Sequence, residues 1–129
     1  MMRTSLRSTS NEIRTALVAV RPDIALLSQS TDELHHLDFA DLTYDGGARD
    51  SLLRVATGEL GADAIGWQWE ELTYTFPRAA LRLRWLEEKE QGRAFRFFGP
   101  GLHLAAAAVV LTLDGVSHLM MGQEFNEPG

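Results

Sequence analysis

The chain has 129 residues, 45% of them hydrophobic and 23% charged, with a net charge of −6. That is the composition of a globular domain rather than a disordered segment, and the acidic balance argues against nonspecific binding to nucleic acid or acidic lipid. There is no cysteine, so disulfides and thiolate metal sites are excluded.

Residues 1–9 are rich in Arg, Ser and Thr and are expected to be flexible. They carry positive charge without an apolar run behind it, which is not the pattern of a secretory signal. Ser10 or Asn11 is placed to cap a helix reaching about Val20, with Ile13, Leu17 and Val20 at helical spacing. Arg21-Pro22-Asp23 ends it. Ile24-Ala25-Leu26-Leu27 is a short, nearly all-apolar run, as in a strand covered on both faces, and it ends in Ser28-Gln29-Ser30.

The polar segment Thr31 to Asp38 follows, then a second short strand over Asp41–Asp45 and a turn at Gly46-Gly47. A helix is expected from Asp50 or Ser51, and another from Ala62 to about Tyr74, where Gly66 costs roughly 1 kcal/mol relative to Ala. Leu81 to Leu86 alternates apolar and charged residues, the period of a strand, and runs into the polar stretch Glu87-Glu88-Lys89-Glu90-Gln91 before Gly92. Gly99-Pro100-Gly101 reads as a turn. Leu102 to Leu113 reads as a buried, Ala-rich apolar helix too short to span a bilayer, and Val116 to Met121 as a last strand. Strands alternating with helices imply parallel β/α units with right-handed crossovers, in one domain over 1–129.

Five blocks in order carry a resemblance: Asp23 to Ser30, Asp41 to Asp45, Phe76 to Glu87, Leu104 to Val116, and the closing Met120-Met121-Gly122-Gln123-Glu124-Phe125. Together they resemble the C-terminal half of the α-amylase-type (glycoside hydrolase family 13) catalytic (β/α)8 barrel. The closing block, similar to the family's GVPLLYMGQEF, is the most specific. The resemblance implies an α/β fold, a half TIM barrel of about four parallel strands alternating with helices and resembling barrel strands five to eight. Ile24–Gln29 would be strand five, Asp41–Asp45 strand six, Leu81–Leu86 strand seven and Ser117–Met121 strand eight. Strands one to four have no counterpart, and the chain would begin inside the fourth helix.

The family hydrolyses or transfers α-linked glucosides with retention, which needs two carboxyl groups roughly 5–5.5 Å apart. The resemblance places the nucleophile on strand four, outside this chain. It places the general acid at Gln29, an amide that cannot deliver a proton; general acid catalysis is typically worth about 10²- to 10⁴-fold. The family's Asn-His-Asp motif falls on Glu88-Lys89-Glu90, so Gln29, Lys89 and Glu90 stand as vestigial positions and no catalytic residue is assigned.

The bland reading of each is an ordinary strand-end residue for Gln29 and a solvated charged rim for Glu87 to Glu90. Adjacent His35 and His36 point to different sides and do not easily share a metal, so no metal and no cofactor is expected. Trp67, Trp69 and Trp85 could stack on sugar, though packing is the commoner use. Asp41 and Asp45 could share a strand face but make a poor hydrolytic pair.

An open four-stranded sheet leaves edges and an apolar face uncovered, so a homodimer or higher homo-oligomer through the open sheet edges is expected. The expected function is a non-catalytic, self-associating half-barrel. The alternatives are a weak α-glucosidase-like or carbohydrate-binding protein with a pocket formed across subunits, or an interaction module. Neither nucleic acid nor membrane is an expected partner, and the expected location is cytoplasmic.

Overall fold

The computed structural model describes residues 2–127. Helix α1 spans Met2–Val20 and leads to strand β1, Leu27–Ser28; the short helix α2, Leu34–Asp38, links it to β2, Leu42–Tyr44. Helices α3, Gly46–Ala56, and α4, Asp63–Thr75, precede β3, Leu81–Arg84. Helix α5, Ala94–Thr112, precedes β4, Val116–Ser117, and a 3-10 turn covers Gln123–Phe125. The sheet order is β1-β2-β3-β4 and every neighbouring pair is parallel, with Leu27 beside Leu42, Leu42 beside Leu81, and Leu83 beside Val116. This is an open sheet of four parallel strands alternating with helices, as the sequence reading expects.

Several boundaries move, each for a local reason. The first helix begins at Met2, not at Ser10 or Asn11; residues 2–9 hold neither Gly nor Pro to stop it. Its stripe finds little cover, with Ile13 54%, Leu17 36% and Val20 87% exposed. Gly46-Gly47 is not a turn but the first turn of α3, because the Asp45 carboxylate accepts a hydrogen bond from the Ala48 amide at 3.1 Å and caps the helix four residues early. Gly99-Pro100-Gly101 is not a separate turn. It is a kink inside α5, where Gly99 takes φ 68°, so the helix starts at Ala94. The helix is only partly buried: Phe98, His103, Ala106 and Val110 face inward while Leu104 and Leu111 are exposed.

The core lies on the helix side of the sheet. Leu86, fully buried, packs with Leu52 of α3 and with Ala94, Phe98, Ala106 and Val110 of α5. Burying a leucine of that kind stabilises by roughly 1.5–3 kcal/mol. Strand period then assigns the rest of β3: Arg82, Arg84 and Leu86 point toward the helices, and Leu81, Leu83 and Trp85 toward the opposite face. The arginines of the alternating run therefore lie on the helix side, although Leu83 and Trp85 on the opposite face are buried as well and only Leu81 of β3 is exposed. Arg84 is 1% exposed in its side chain and pairs with Asp45 at 3.0 Å and with Asp114 at 3.0 Å. Its guanidinium lies 4.5 Å from the Trp69 ring, and that of Arg82 lies between Trp69 and Phe76 at 5.4 and 5.5 Å. Gly115, at φ 110°, is needed here, since a Cβ would come within 2.6 Å of the Arg82 carbonyl oxygen.

On the far side of the sheet, Leu27 is 50% and Leu81 45% exposed. On the same face Leu83 and Trp85 are buried, and among the described residues β1 and β4 each pair along one edge only.

Candidate functional site

The C-terminal ends of β1, β2 and β3 open into a cavity of about 410 Å³. Gln29 and Thr31 come to it from the β1 loop, Tyr44 from the end of β2, Arg49 and Asp50 from α3, and Trp85, Glu88, Glu90 and Gln91 from the β3 loop. In open parallel sheets this is the end where ligands sit, because the loops there converge while the strands hold them rigidly.

Each wall follows from local chemistry. Capping by Asp45 starts α3 at the cavity and brings Arg49 to it on the first turn. The Arg49 Nε donates to the Leu86 carbonyl at 2.9 Å, and its guanidinium lies 5.0 Å from the Trp85 ring and 5.7 Å from the Phe97 ring. Burial pushes the Arg49 pKa down from its ordinary value, while Asp50 and Glu88 oppose the shift. The β3 loop is a tight turn: the Gln91 amide donates to the Glu88 carbonyl at 3.2 Å, and Glu88 bridges to Gly92. The turn holds Glu88 inside at 7% exposure and lifts Lys89 and Glu90 outward, where they form a loose pair at 3.8 Å with side chains 75% and 63% exposed.

The structure brings Gln29 and Glu90 to the same cavity and leaves Lys89 outside its lining. The reading of Glu87 to Glu90 as one solvated rim is corrected. Glu87 is fully buried, its carboxylate accepting from Arg93 at 3.1 Å, and Glu88 is nearly so; only Lys89 and Glu90 are rim residues. The turn between Glu88 and Gly92 separates the two halves, and Arg93, which also donates to the Met121 carbonyl at 2.9 Å, holds Glu87 on the inner side.

The other candidates do not converge. Trp85 lines the cavity, Trp69 lies over the arginines on the helix side, and Trp67 is 67% exposed, so the three form no shared platform. Asp41 is held by both terminal nitrogens of Arg14, at 2.9 and 3.0 Å, and accepts from the Leu26 amide at 2.9 Å. The hydrogen bond from Arg14 holds its pKa below the ordinary carboxylate value. Asp45, at the other end of β2, is committed to Arg84 and to the α3 cap. His35 meets Ser28 at 2.6 Å and His36 meets Thr43 at 2.7 Å, so the neighbouring imidazoles serve neighbouring strands. Arg49 and Asp50 escaped the sequence reading; the available signal was Asp45 as a helix cap, which places residue 49 one turn in.

Burial lowers the His36 pKa, with Arg82 and His35 adding to the effect against the Ala40 backbone and Asp41. A folded-state value below the ordinary 6.5 means that the unfolded chain binds the proton more readily. Stability from this group is therefore complete above pH 6.5 and declines as pH falls from there through the lower folded-state pKa. Urea unfolding is expected to show a lower midpoint at pH 5.5 than at pH 8, and His36→Gln is expected to flatten that difference.

No protein-family model and no curated protein sequence matches the chain. Solved structures do. An α-amylase from Lactobacillus plantarum superposes with a TM-score of 0.86 at 18% identity, covering 95% of this chain and 33% of that one. A noncanonic maltogenic α-amylase from Thermotoga neapolitana gives 0.84 at 21%, covering 95% and 29%. A cyclic α-maltosyl-(1→6)-maltose hydrolase from Arthrobacter globiformis, in complex with maltose, gives 0.82 at 21%, covering 92% and 29%. The chain thus has the fold of part of an α-amylase barrel and spans about a third or less of each of these proteins.

Proposed function

We propose that this chain, with the fold of part of an α-amylase barrel, is a non-catalytic half-barrel unit that self-associates. One observation carries the reading: among the described residues β1 and β4 of the parallel sheet each pair along one edge only, and Leu27 and Leu81 are half exposed on the face away from the Leu86 core. An apolar sheet face and two one-sided edges are the features that association removes. A second copy, related by a two-fold along the sheet's barrel axis, would set β4 of each beside β1 of the other, keep every pair parallel and reach the eight strands that close a small barrel. Light scattering on the purified chain is expected to give twice its 14.3 kDa mass; a stable monomer at micromolar concentration overturns the reading.

The non-catalytic half rests on Gln29. It stands at the cavity where the resemblance expects a general acid, and an amide donates and accepts hydrogen bonds but releases no proton at neutral pH. A second reading, weak α-glucoside hydrolysis or sugar binding, is favoured by one fact: Glu88 and Glu90 border the same cavity. A nitrophenyl α-glucoside assay separates the two. No release above the buffer blank is expected, together with no heat on titration with maltose. Turnover that disappears in Glu88→Gln or Glu90→Gln would establish the second reading instead.

A further inference from the structure

Away from the cavity that Gln29 borders, Arg82 is a buried cation with a donor to spare. Its side chain is 8% exposed, and its Nη1 is buried and makes no hydrogen bond among the described residues. Its Nη2 stands 3.7 Å from Asp114, beyond hydrogen-bond reach, and that carboxylate already accepts from Arg84 at 3.0 Å. Asp45, the other carboxylate nearby, is committed to Arg84 and to the α3 cap. Burial, with Arg84 adding to it, pulls the Arg82 pKa down, and Asp45 and Asp114 offset only part of the shift. A buried cationic donor without an acceptor is costly, and in native structures such a group meets a protein partner, a water or a ligand.

Arg82 borders a cavity of about 130 Å³ at the N-terminal ends of β3 and β4. A second cation, Arg78, lines it from the loop before β3; it is exposed and forms no ion pair among the described residues. Asp114 lines it from the loop before β4 and is the one carboxylate in the lining. Leu72 and Phe76 at the C-terminal end of α4, with Pro77 and Ala80 of the loop, supply apolar walls. An apolar cavity of about 150 Å³ takes up benzene in another protein, so the space suits a molecule of ring size.

We propose that this cavity binds a small organic carboxylate, its oxygens meeting the spare Arg82 donor and its hydrocarbon part resting against Leu72, Phe76 and Pro77. A guanidinium presents its donors in a planar fork that matches a carboxylate. Arg78 adds a second positive charge, so the two cations outnumber the single carboxylate of Asp114. The cavity lies at the opposite end of the strands from the one that Gln29 borders. It is independent of the self-association and of the absence of hydrolysis, so each can fail without the other.

The test is an NMR titration of the whole chain at neutral pH with benzoate. Benzyl alcohol, a neutral molecule of similar size, and inorganic phosphate, an anion without a hydrocarbon part, are the comparisons. Benzoate is expected to give saturable shifts at the Arg78, Ala80 and Asp114 amides, at least tenfold tighter than either comparison. Arg82→Gln is expected to weaken benzoate at least tenfold. Arg78→Gln, at an exposed position that does not endanger folding, is expected to weaken it severalfold. Asp114→Ala removes the opposing charge and is expected to tighten it severalfold. These last two variants carry the test if the Arg82 variant fails to fold. Equal shifts from benzyl alcohol, phosphate bound as tightly as benzoate, non-saturating shifts, or an affinity unmoved by Arg78→Gln and Asp114→Ala would each overturn the proposal.

Discussion

Asp45→Ala is expected to be the most damaging single substitution on this sheet, removing about 3–5 kcal/mol of unfolding free energy. The Asp45 side chain is 2% exposed and faces the Arg84 guanidinium, 1% exposed, at 3.0 Å. Deleting the carboxylate strands a cation beneath the helices. Arg84 retains Asp114, but that carboxylate is 71% exposed and compensates through water-screened geometry. One guanidinium nitrogen of Arg84 already lacks a partner, so little slack remains. The same substitution removes the cap on α3, a smaller loss of about 1 kcal/mol. For a domain whose total stability lies at about 5–15 kcal/mol, that is a large share.

Urea unfolding measures it, and two companions sort the causes. Asp45→Asn keeps an oxygen for the Ala48 amide and loses only the charge, so it is expected to fall between the parent and Asp45→Ala. Asp45→Ala combined with Arg84→Met removes both charges, and is expected to be more stable than Asp45→Ala alone, because the cost lies in the unpaired ion rather than in the lost attraction. A change below about 1 kcal/mol in Asp45→Ala would mean that Arg84 is solvated in a way its burial does not suggest.

If the chain self-associates through the open sheet as proposed, Leu81→Asp is expected to dissociate that assembly while leaving the isolated chain folded. Leu81 starts β3 on the face away from the Leu86 core, beside Leu42, and is 45% exposed in the single chain. A carboxylate there costs the monomer little, since water still reaches it. In a closed interior it would be buried without a partner. The dissociation constant is expected to rise at least about 100-fold, close to 2.8 kcal/mol at 1.4 kcal/mol per tenfold. Sedimentation velocity across a dilution series reads the change, and circular dichroism confirms the fold. Val20→Asp, at an equally apolar but 87% exposed position on α1, is the control and should leave association intact. If Val20→Asp dissociates the assembly and Leu81→Asp does not, the contact lies on the α1 stripe rather than the sheet.

The order of elements was legible because it depends on local rules. Apolar runs of strand length stand between helical segments, so parallel β/α units follow without any knowledge of packing. Ala62 to Tyr74 was expected as a helix and α4 occupies Asp63–Thr75; Leu81 to Leu86 was expected as a strand and β3 opens on Leu81. The boundaries that moved were set by single contacts. The start of α3 waited on one carboxylate-to-amide bond from Asp45, and the start of α5 on whether a Gly-Pro-Gly run bends a helix or ends it. The short span of β1 reflects pairing along one side only, which local composition does not report.

At the cavity the sequence by itself determined chemical identity: position 29 is an amide, positions 88 and 90 are acids, and position 89 is a lysine. Those facts do not depend on geometry. Tertiary structure alone decided which of them meet. Gln29 and Glu90 share a cavity, Lys89 does not, and Arg49 arrives from a helix more than thirty residues before Glu88 in the chain. It also decided the sense of the alternating run in β3. Period two establishes that leucine and arginine lie on opposite faces, but not which face the helices cover. Trp69 and Phe76 offer aromatic faces, and Asp45 and Asp114 offer carboxylates, on one side only. Charged side chains can be buried where such partners wait for them. The arginines turned toward those partners, and of the two leucines in β3 only Leu81 stays exposed.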